Sequence, residues 1–402
     1  MSAADLAGSR FEVEVGPVAH GGHFVARHVG QVVFVRHALP GERVLVEVTE
    51  GASGSRFLRA DALEVLAASP DRVPAPCPFS GPGRCGGCDF QHVALPVQRE
   101  LKAAVVHEQL SRLAGLDVDV AVEPVPGDSG GLDWRTRVRW AVDDAGRPGL
   151  RKHRSHEVVP VDDCRIAHPG LPPRGEDLPA SVTEVETLRS STGERLRLLT
   201  ARDGTVAEDG PPLLHEQCRG RTFEVTGSGF WQVHPGATEA LVAAVLDGLD
   251  PQPGERAADL YSGVGLFSAA LAARVGESGH VVAVESDPVA VEDAAANLSD
   301  LPQVEPVADR VDRALRRGTV GPVDLVVLDP PRTGAKRDVV SAIAERDPRA
   351  VAYVACDPAA LARDVGIFAE YGYVLRSLRA FDLFPMTHHV ECVALLARHR
   401  VS

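Results

Sequence analysis

The sequence predicts a multidomain α/β protein, in which a doubly wound, largely parallel sheet is preceded by a small β-barrel and a cysteine-bearing middle region. Three observations carry this. From Arg256 onward, apolar runs of strand length alternate with a tight glycine turn and helix-length segments, the pattern of βα repeats. Between Phe11 and Val65, short β-branched runs are punctuated by Gly21-Gly22, Pro40-Gly41 and Gly51 to Gly54. A chain of 402 residues is too long for one ordinary core and suggests two or three domains.

The first segment, 1–67, has strand runs at Phe11 to Val15, Gln31 to Val35 and Arg43 to Thr49, spaced as in a small antiparallel barrel. Five-stranded barrels of this kind bind oligonucleotides on one face, and a purely structural module fits the pattern equally well. Ser69-Pro70 and Pro74 to Pro78 break regularity and open the middle region, 68–221. After Pro96 a helix is predicted through Gly115, because Val97, Leu101, Ala104, Val105, Leu110 and Leu113 recur at helical spacing; it is a candidate to pack on the C-terminal domain. Short strands and loops follow, with breaks at Pro169 to Asp177 and Gly210 to Pro212.

The last segment, 222–402, supplies the sheet. Ala257 to Tyr261 reads as a strand, Ser262 to Gly265 as a tight loop and Leu266 to Val275 as a helix. Val281 to Val284 is a strand ending at Glu285, and Val289 to Leu298 a helix. Val323 to Leu328 ends at Asp329, Val351 to Ala355 ends at Cys356, and Tyr373 to Ala380 with Val390 to Ala397 closes the sheet as an antiparallel pair.

No apolar stretch approaches the roughly 20 residues of a membrane span, and Met1 to Arg10 lacks the layout of a signal peptide, so the expected location is the cytoplasm with no membrane partner. An odd number of cysteines, seven, speaks for metal binding or catalysis over a disulfide framework. The net charge of -14 argues against a phosphate-rich partner. Its distribution argues otherwise: Arg135, Arg137, Arg139, Arg147, Arg151, Lys152 and Arg154 crowd one stretch, with Arg137 and Arg139 on one strand face. A solvated face is the plain alternative.

In open α/β sheets, ligands gather outside the carboxyl ends of the strands. Gly263 and Gly265 give G-x-G without a third dinucleotide glycine, and Glu285 stands 20 residues past Gly265, the separation at which a carboxylate holds ribose hydroxyls. A nucleoside without phosphates, such as S-adenosylmethionine, suits that pair better than NAD. Asp329-Pro330-Pro331-Arg332 makes a stiff, extended loop able to line a pocket for a planar base. Cys356 and Glu391, at the ends of neighbouring runs, offer a nucleophile and a proton acceptor, although a lone cysteine is often just a small buried hydrophobe. His388 and His389 could orient substrate or form a satisfied polar pair; Cys218 and Cys392 read as structural.

Five segments in order resemble the 5-methyluridine RNA methyltransferases: Gly229 to Val233, Asp259 to Phe267, Asp329 to Arg332, Tyr353 to Asp364 and His388 to Leu396. The resemblance covers nearly the whole chain. It implies a Rossmann-like S-adenosylmethionine methyltransferase domain over 222–402, with Gln232, Tyr261, Glu285 and Asp329 on the cofactor, Cys356 as nucleophile and Glu391 as base. Gly21-Gly22 and Ala38 to Glu42 are similar to the TRAM RNA-binding domain, so the implied partner is a structured RNA, tRNA or rRNA. Cys77, Cys85 and Cys88 stand as C-x7-C-x2-C, with Cys164 far downstream. Their spacing alone favours a zinc site, whereas the resemblance implies a [4Fe-4S] cluster on the four. Two departures are plain: members show five residues where seven separate Cys77 and Cys85, and Asn where His234 stands. The competing readings are a non-catalytic RNA-binding protein on the same scaffold and a base N-methyltransferase, which needs no thiol and presents Asn before the paired prolines.

Overall fold

The structure, a computed structural model, describes residues 4–175 and 178–398. Met1 to Ala3, the start of the segment read for a signal peptide, and Glu176-Asp177, the end of the second expected break, lie outside the described residues.

Six strands form the N-terminal barrel: β1 (Arg10–Glu14), β2 (Val18–Ala19), β3 (His23–His28), β4 (Gln31–Arg36), β5 (Arg43–Glu50) and β6 (Phe57–Ala67), in the order β1-β5-β6-β4-β3-β2. The expected all-antiparallel pattern fails at one pair: β4 and β6 run parallel. The reason is the chain path: β6 turns back antiparallel to β5 along one edge and so runs in the same direction as β4 along its other edge. Closure is made where Gly16 N donates to Val25 O; a Cβ on Gly16 would sit 2.8 Å from that oxygen, so only glycine lets the strands meet. Phe24, Val33, Val35, Val44, Val46 and Leu58 fill the interior.

Helix α1 (Leu95–Ala114) forms as its spacing predicts, with Pro96 in its first turn and Gly115 ending it in the left-handed region. Its two apolar stripes serve different cores. Leu101 and Val105 join the barrel, while Val106 and Leu110 join the C-terminal domain, so the helix welds the two together. After it, β7 (Val122–Pro124) adds to the far edge of the C-terminal sheet. The middle region is a six-stranded antiparallel sheet of β8 (Arg137–Val142), β9 (Pro148–Arg151), β10 (Val158–Pro160), β11 (Val182–Arg189), β12 (Arg195–Ala201) and β13 (Val206–Asp209), followed by the hairpin β14 (Leu213–Cys218) and β15 (Arg221–Thr226).

After α2 (Ala237–Leu249) comes the βα series: β16 (Arg256–Leu260), α3 (Leu266–Val275), β17 (His280–Glu285), α4 (Pro288–Asn297), β18 (Val304–Ala308), α5 (Val311–Arg317), β19 (Leu325–Leu328), α6 (Lys336–Ala344), β20 (Ala350–Ala355), α7 (Pro358–Glu370), β21 (Tyr373–Asp382) and β22 (Glu391–Arg398). The sheet order is β18-β17-β16-β19-β20-β22-β21-β7. Strands β16 to β20 are parallel and β22 is antiparallel to both neighbours, as the sequence predicts. Alternate residues serve opposite faces: Ala258, Val326, Val351 and Tyr353 face one apolar layer, Ala257, Leu325, Ala352 and Val354 the other. Strand order reverses between β16 and β19, which puts a crevice at their carboxyl ends.

Candidate active site

The glycine turn after β16 is built for close approach. Tyr261, Gly263 and Gly265 all hold positive φ, at 65°, 52° and 93°. Glu285, at the end of β17, accepts from Gly263 N at 3.0 Å and from Ser286 N and Asp287 N, so its carboxylate is fixed at the mouth of the turn. Asp259 is fully buried; its Oδ2 accepts from Ser268 Oγ at 2.5 Å, while Oδ1, like Ser262 Oγ beside it, has no partner. Burial pushes the Asp259 carboxyl up to about 7, and burial together with the charge of Asp259 raises Asp329 at the end of β19. Orphaned buried oxygens and three convergent acids at the switch point suit a cationic nucleoside with unpaired donors, which is the chemistry of S-adenosylmethionine.

Gln232 lines a small crevice with Thr136, Arg137, Glu216, Thr226 and Trp231, between the middle sheet and the β14–β15 hairpin. His234 is buried, stacks on Trp134 at 5.7 Å and leaves Nε2 unpartnered.

Cys356 and Glu391 come together through strand register. Strands β20 and β22 pair Val354 with Val393 and Ala355 with Cys392, so one more step sets Cys356 against Glu391. Cys392 faces the apolar layer beside Tyr353 and Ala355, opposite to Glu391, as expected for its neighbour on a strand. Burial pushes the Cys356 thiol up to about 12, with further upward pushes from Glu391 and Asp329 and a downward one from Arg332. Glu391 is buried, and burial, then Asp329, raises its carboxyl well above the usual range.

Cys356 opens onto a cavity of about 170 Å³ whose walls come from three parts of the chain. The C-terminal domain gives Arg332, Asp357 and His388-His389, α1 gives Leu101 and Lys102, and the barrel gives Val18 and His20 to Gly22. His388 Nδ1 donates to Asp89 Oδ2 at 2.6 Å, and Asp89 also meets Arg36 at 3.3 Å. Burial would raise the Asp89 carboxyl, but His388 and Arg36 hold it far below the usual range. His388 is thus satisfied on the cavity wall, and the His389 ring lies against it with centroids 4.1 Å apart. Lys102, wholly buried, donates to Asp382 Oδ1 at 2.6 Å and to Phe384 O at 3.0 Å. Its signal in the sequence was faint: a lysine inside the apolar stripe of α1, in a chain whose cations are nearly all arginine. For His20 there was none.

The metal centre expected on Cys77, Cys85, Cys88 and Cys164 is corrected. Among the described residues no three or more His, Cys, Asp or Glu side chains are arranged to hold a metal ion, so neither the iron-sulfur cluster nor the zinc alternative is carried forward. Three of the thiols are packed against apolar side chains. Cys88 and Cys164 lie among Trp134, Ile166 and Met386, Cys85 with Val138 and Trp140; Gln91 Nε2 donates to Cys88 Sγ, and burial pushes Cys164 up to about 11 and Cys88 higher still.

The basic stretch is also more committed than its composition suggests. Arg137 forks onto Glu186 at 2.8 and 2.9 Å and donates to Gly229 O, while Arg139 is 62% exposed and meets Glu184 at 3.3 Å. Arg135 donates to Arg137 O and is half-buried.

Comparison with known proteins agrees with this architecture. The TRAM domain model matches residues 6–63, the tRNA (Uracil-5-)-methyltransferase model residues 321–399, and a protein-L-isoaspartate(D-aspartate) O-methyltransferase model residues 236–314. An uncharacterized RNA methyltransferase of Streptomyces coelicolor is 51% identical, the match covering 97% of this chain and 93% of the relative. A 23S rRNA (uracil(1939)-C(5))-methyltransferase of Shewanella amazonensis is 33% identical over 96% of this chain and 95% of its own. The crystal structure of the Pyrococcus abyssi tRNA (uracil-54, C5)-methyltransferase with S-adenosyl-L-homocysteine shares the fold, with a TM-score of 0.73, 21% identity, and coverage of 96% of this chain and all of that one. The barrel, the switch-point crevice and the matched segments agree, and the chain belongs to the family of S-adenosylmethionine-dependent RNA uracil-5 methyltransferases.

Proposed function

We propose that the protein methylates C5 of a uridine in structured RNA, tRNA or rRNA, through a covalent adduct between Cys356 and uracil C6. The observation that carries this reading is the register of β20 and β22, which sets a buried carboxyl beside a thiol that lines a base-sized cavity. Uracil C5 is a weak nucleophile. Attack of the Cys356 thiolate on C6 forms an S–C6 bond and sends the C5=C6 pair toward an enolate, whose C5 is then nucleophilic enough. S-adenosylmethionine, which Tyr261, Glu285 and Asp329 at the switch point and Gln232 would hold, would supply its methyl group to that C5, the S–CH3 bond breaking to leave S-adenosylhomocysteine. The Glu391 carboxylate takes the C5 proton, the C5=C6 pair re-forms, and the S–C6 bond breaks to release Cys356. A uridine reaches the cavity only if unstacked, which loops and bulges of RNA permit.

In this reading 1–67 is the RNA-binding barrel, 68–221 the connecting region and 222–402 the methyltransferase domain. Among the described residues no helix is long and apolar enough to cross a membrane, and an RNA substrate suits the cytoplasm. The test is twofold. Mapping 5-methyluridine in total RNA with and without the gene identifies the target; Cys356→Ala abolishes methylation of that site, and activity surviving in this variant selects a mechanism without a thiol.

A further inference from the structure

We propose that the barrel turn His20 to Gly22 is a working part of the active site, with His20 as a positioning residue that acts on Cys356 through Asp357. This rests on the reading of Cys356 as nucleophile and adds a group from the domain otherwise assigned to RNA binding.

Three contacts converge on the turn. His20 Nε2 donates to Asp357 Oδ2 at 3.2 Å, across 337 residues of sequence. Asp357 follows the nucleophile directly and caps α7, its Oδ1 accepting from Ala360 N at 2.8 Å. One carboxylate therefore joins the barrel to the N-terminus of the helix that begins beside the thiol. Gly22, at a φ of 76°, lies so close to the segment before Glu391 that a Cβ would stand 2.8 Å from His388 Cβ and 3.1 Å from Asp89 Cγ. The same turn thus rests on the strand ends that present Cys356 and Glu391, and it walls the cavity that Cys356 lines.

Two physical effects follow. A carboxylate next to Cys356 opposes formation of the thiolate, and a hydrogen bond from His20 spreads that charge onto the imidazole. Fixing Asp357 also fixes the first turn of α7, whose N–H groups and dipole favour a thiolate at that end. Neither effect needs contact between His20 and RNA. His20 should therefore alter the chemical step and leave the affinity for RNA alone. A side chain that merely touched RNA would do the reverse.

The experiment measures single-turnover methyl transfer, with enzyme in excess over substrate RNA at saturating S-adenosylmethionine, together with the Kd for that RNA. His20 is part-exposed, so His20→Ala is expected to keep its melting midpoint. Its rate at saturation should fall at least about tenfold, or ~1.4 kcal/mol of barrier, with Kd unchanged within about twofold. His20→Gln, which keeps an N–H donor for Asp357, should recover most of the rate. A wild-type saturating rate in His20→Ala, or an effect confined to Kd, overturns the proposal. Cys356→Ala run in parallel separates the two ideas: methyl transfer persisting there removes the nucleophile reading and the positioning role with it, whereas an inactive Cys356→Ala beside a fully active His20→Ala removes only the latter.

Discussion

Glu391→Gln is the perturbation that separates methyl transfer from product release. The side chain is 4% exposed and lies opposite Cys356, one step past the Ala355–Cys392 pair. Gln keeps its volume and removes only the ability to accept a proton. Burial and Asp329 already make a charge at this position costly, so a neutral amide should leave stability within about 1 kcal/mol of wild type or raise it. Thiolate attack and methyl transfer precede the loss of the C5 proton and should persist. Removing a general base costs about 10² to 10⁴ in rate, roughly 3 to 5 kcal/mol of barrier, so the methylated adduct should outlive its formation. With S-adenosylmethionine labelled in the methyl group, a denaturing gel should show label in a protein–RNA band that the wild type accumulates only with 5-fluorouridine RNA. Normal turnover by Glu391→Gln, or slow turnover with no labelled adduct, refutes the assignment of the base.

Cys356→Ala should give neither product nor adduct. Because the wild-type thiol is pushed up to about 12, adduct formation with 5-fluorouridine RNA should rise by about tenfold per pH unit between pH 6 and 9; a flat profile contradicts a thiol attacking from that environment. His23, His37 and His92 are buried, and burial lowers them to about 4, 3 and 4, so the stability they contribute is present above 6.5 and is lost as pH falls toward those values. From pH 7 to pH 5 each should cost up to about 2 kcal/mol, read as a falling urea midpoint, and His92→Gln should flatten the trend. Lys102→Met leaves Asp382 buried with only Arg99, at 3.3 Å, beside it; unfolding free energy should fall by about 3 kcal/mol, the low end for breaking a buried pair, and a neutral result would mean the pair contributes nothing. Arg139→Ala should reduce the salt slope of RNA binding by about 0.7 to 0.9, whereas Arg137→Ala, which frees Glu186 and Gly229, should lower stability more than it changes the slope.

The sheet and its strand ends were legible because a parallel strand buried on both faces must be written as an unbroken apolar run, and the residue that ends it is then conspicuous. Asp329, Cys356 and Glu285 stand out for that reason, and the 3.6-residue period of α1 marks it equally well. The barrel was readable as β structure but not in its topology, since nothing local in Phe57–Ala67 says that one of its edges pairs parallel to β4. The metal centre expected on the cysteines fails on geometry among the described residues, because spacing along the chain does not encode how thiols are arranged in space. Tertiary structure alone decided that Cys356 meets Glu391, that Lys102 is neutralised by Asp382 and that His20 reaches Asp357. Each of those contacts joins groups far apart in sequence, and each is set by strand register and domain docking, which local propensity does not specify.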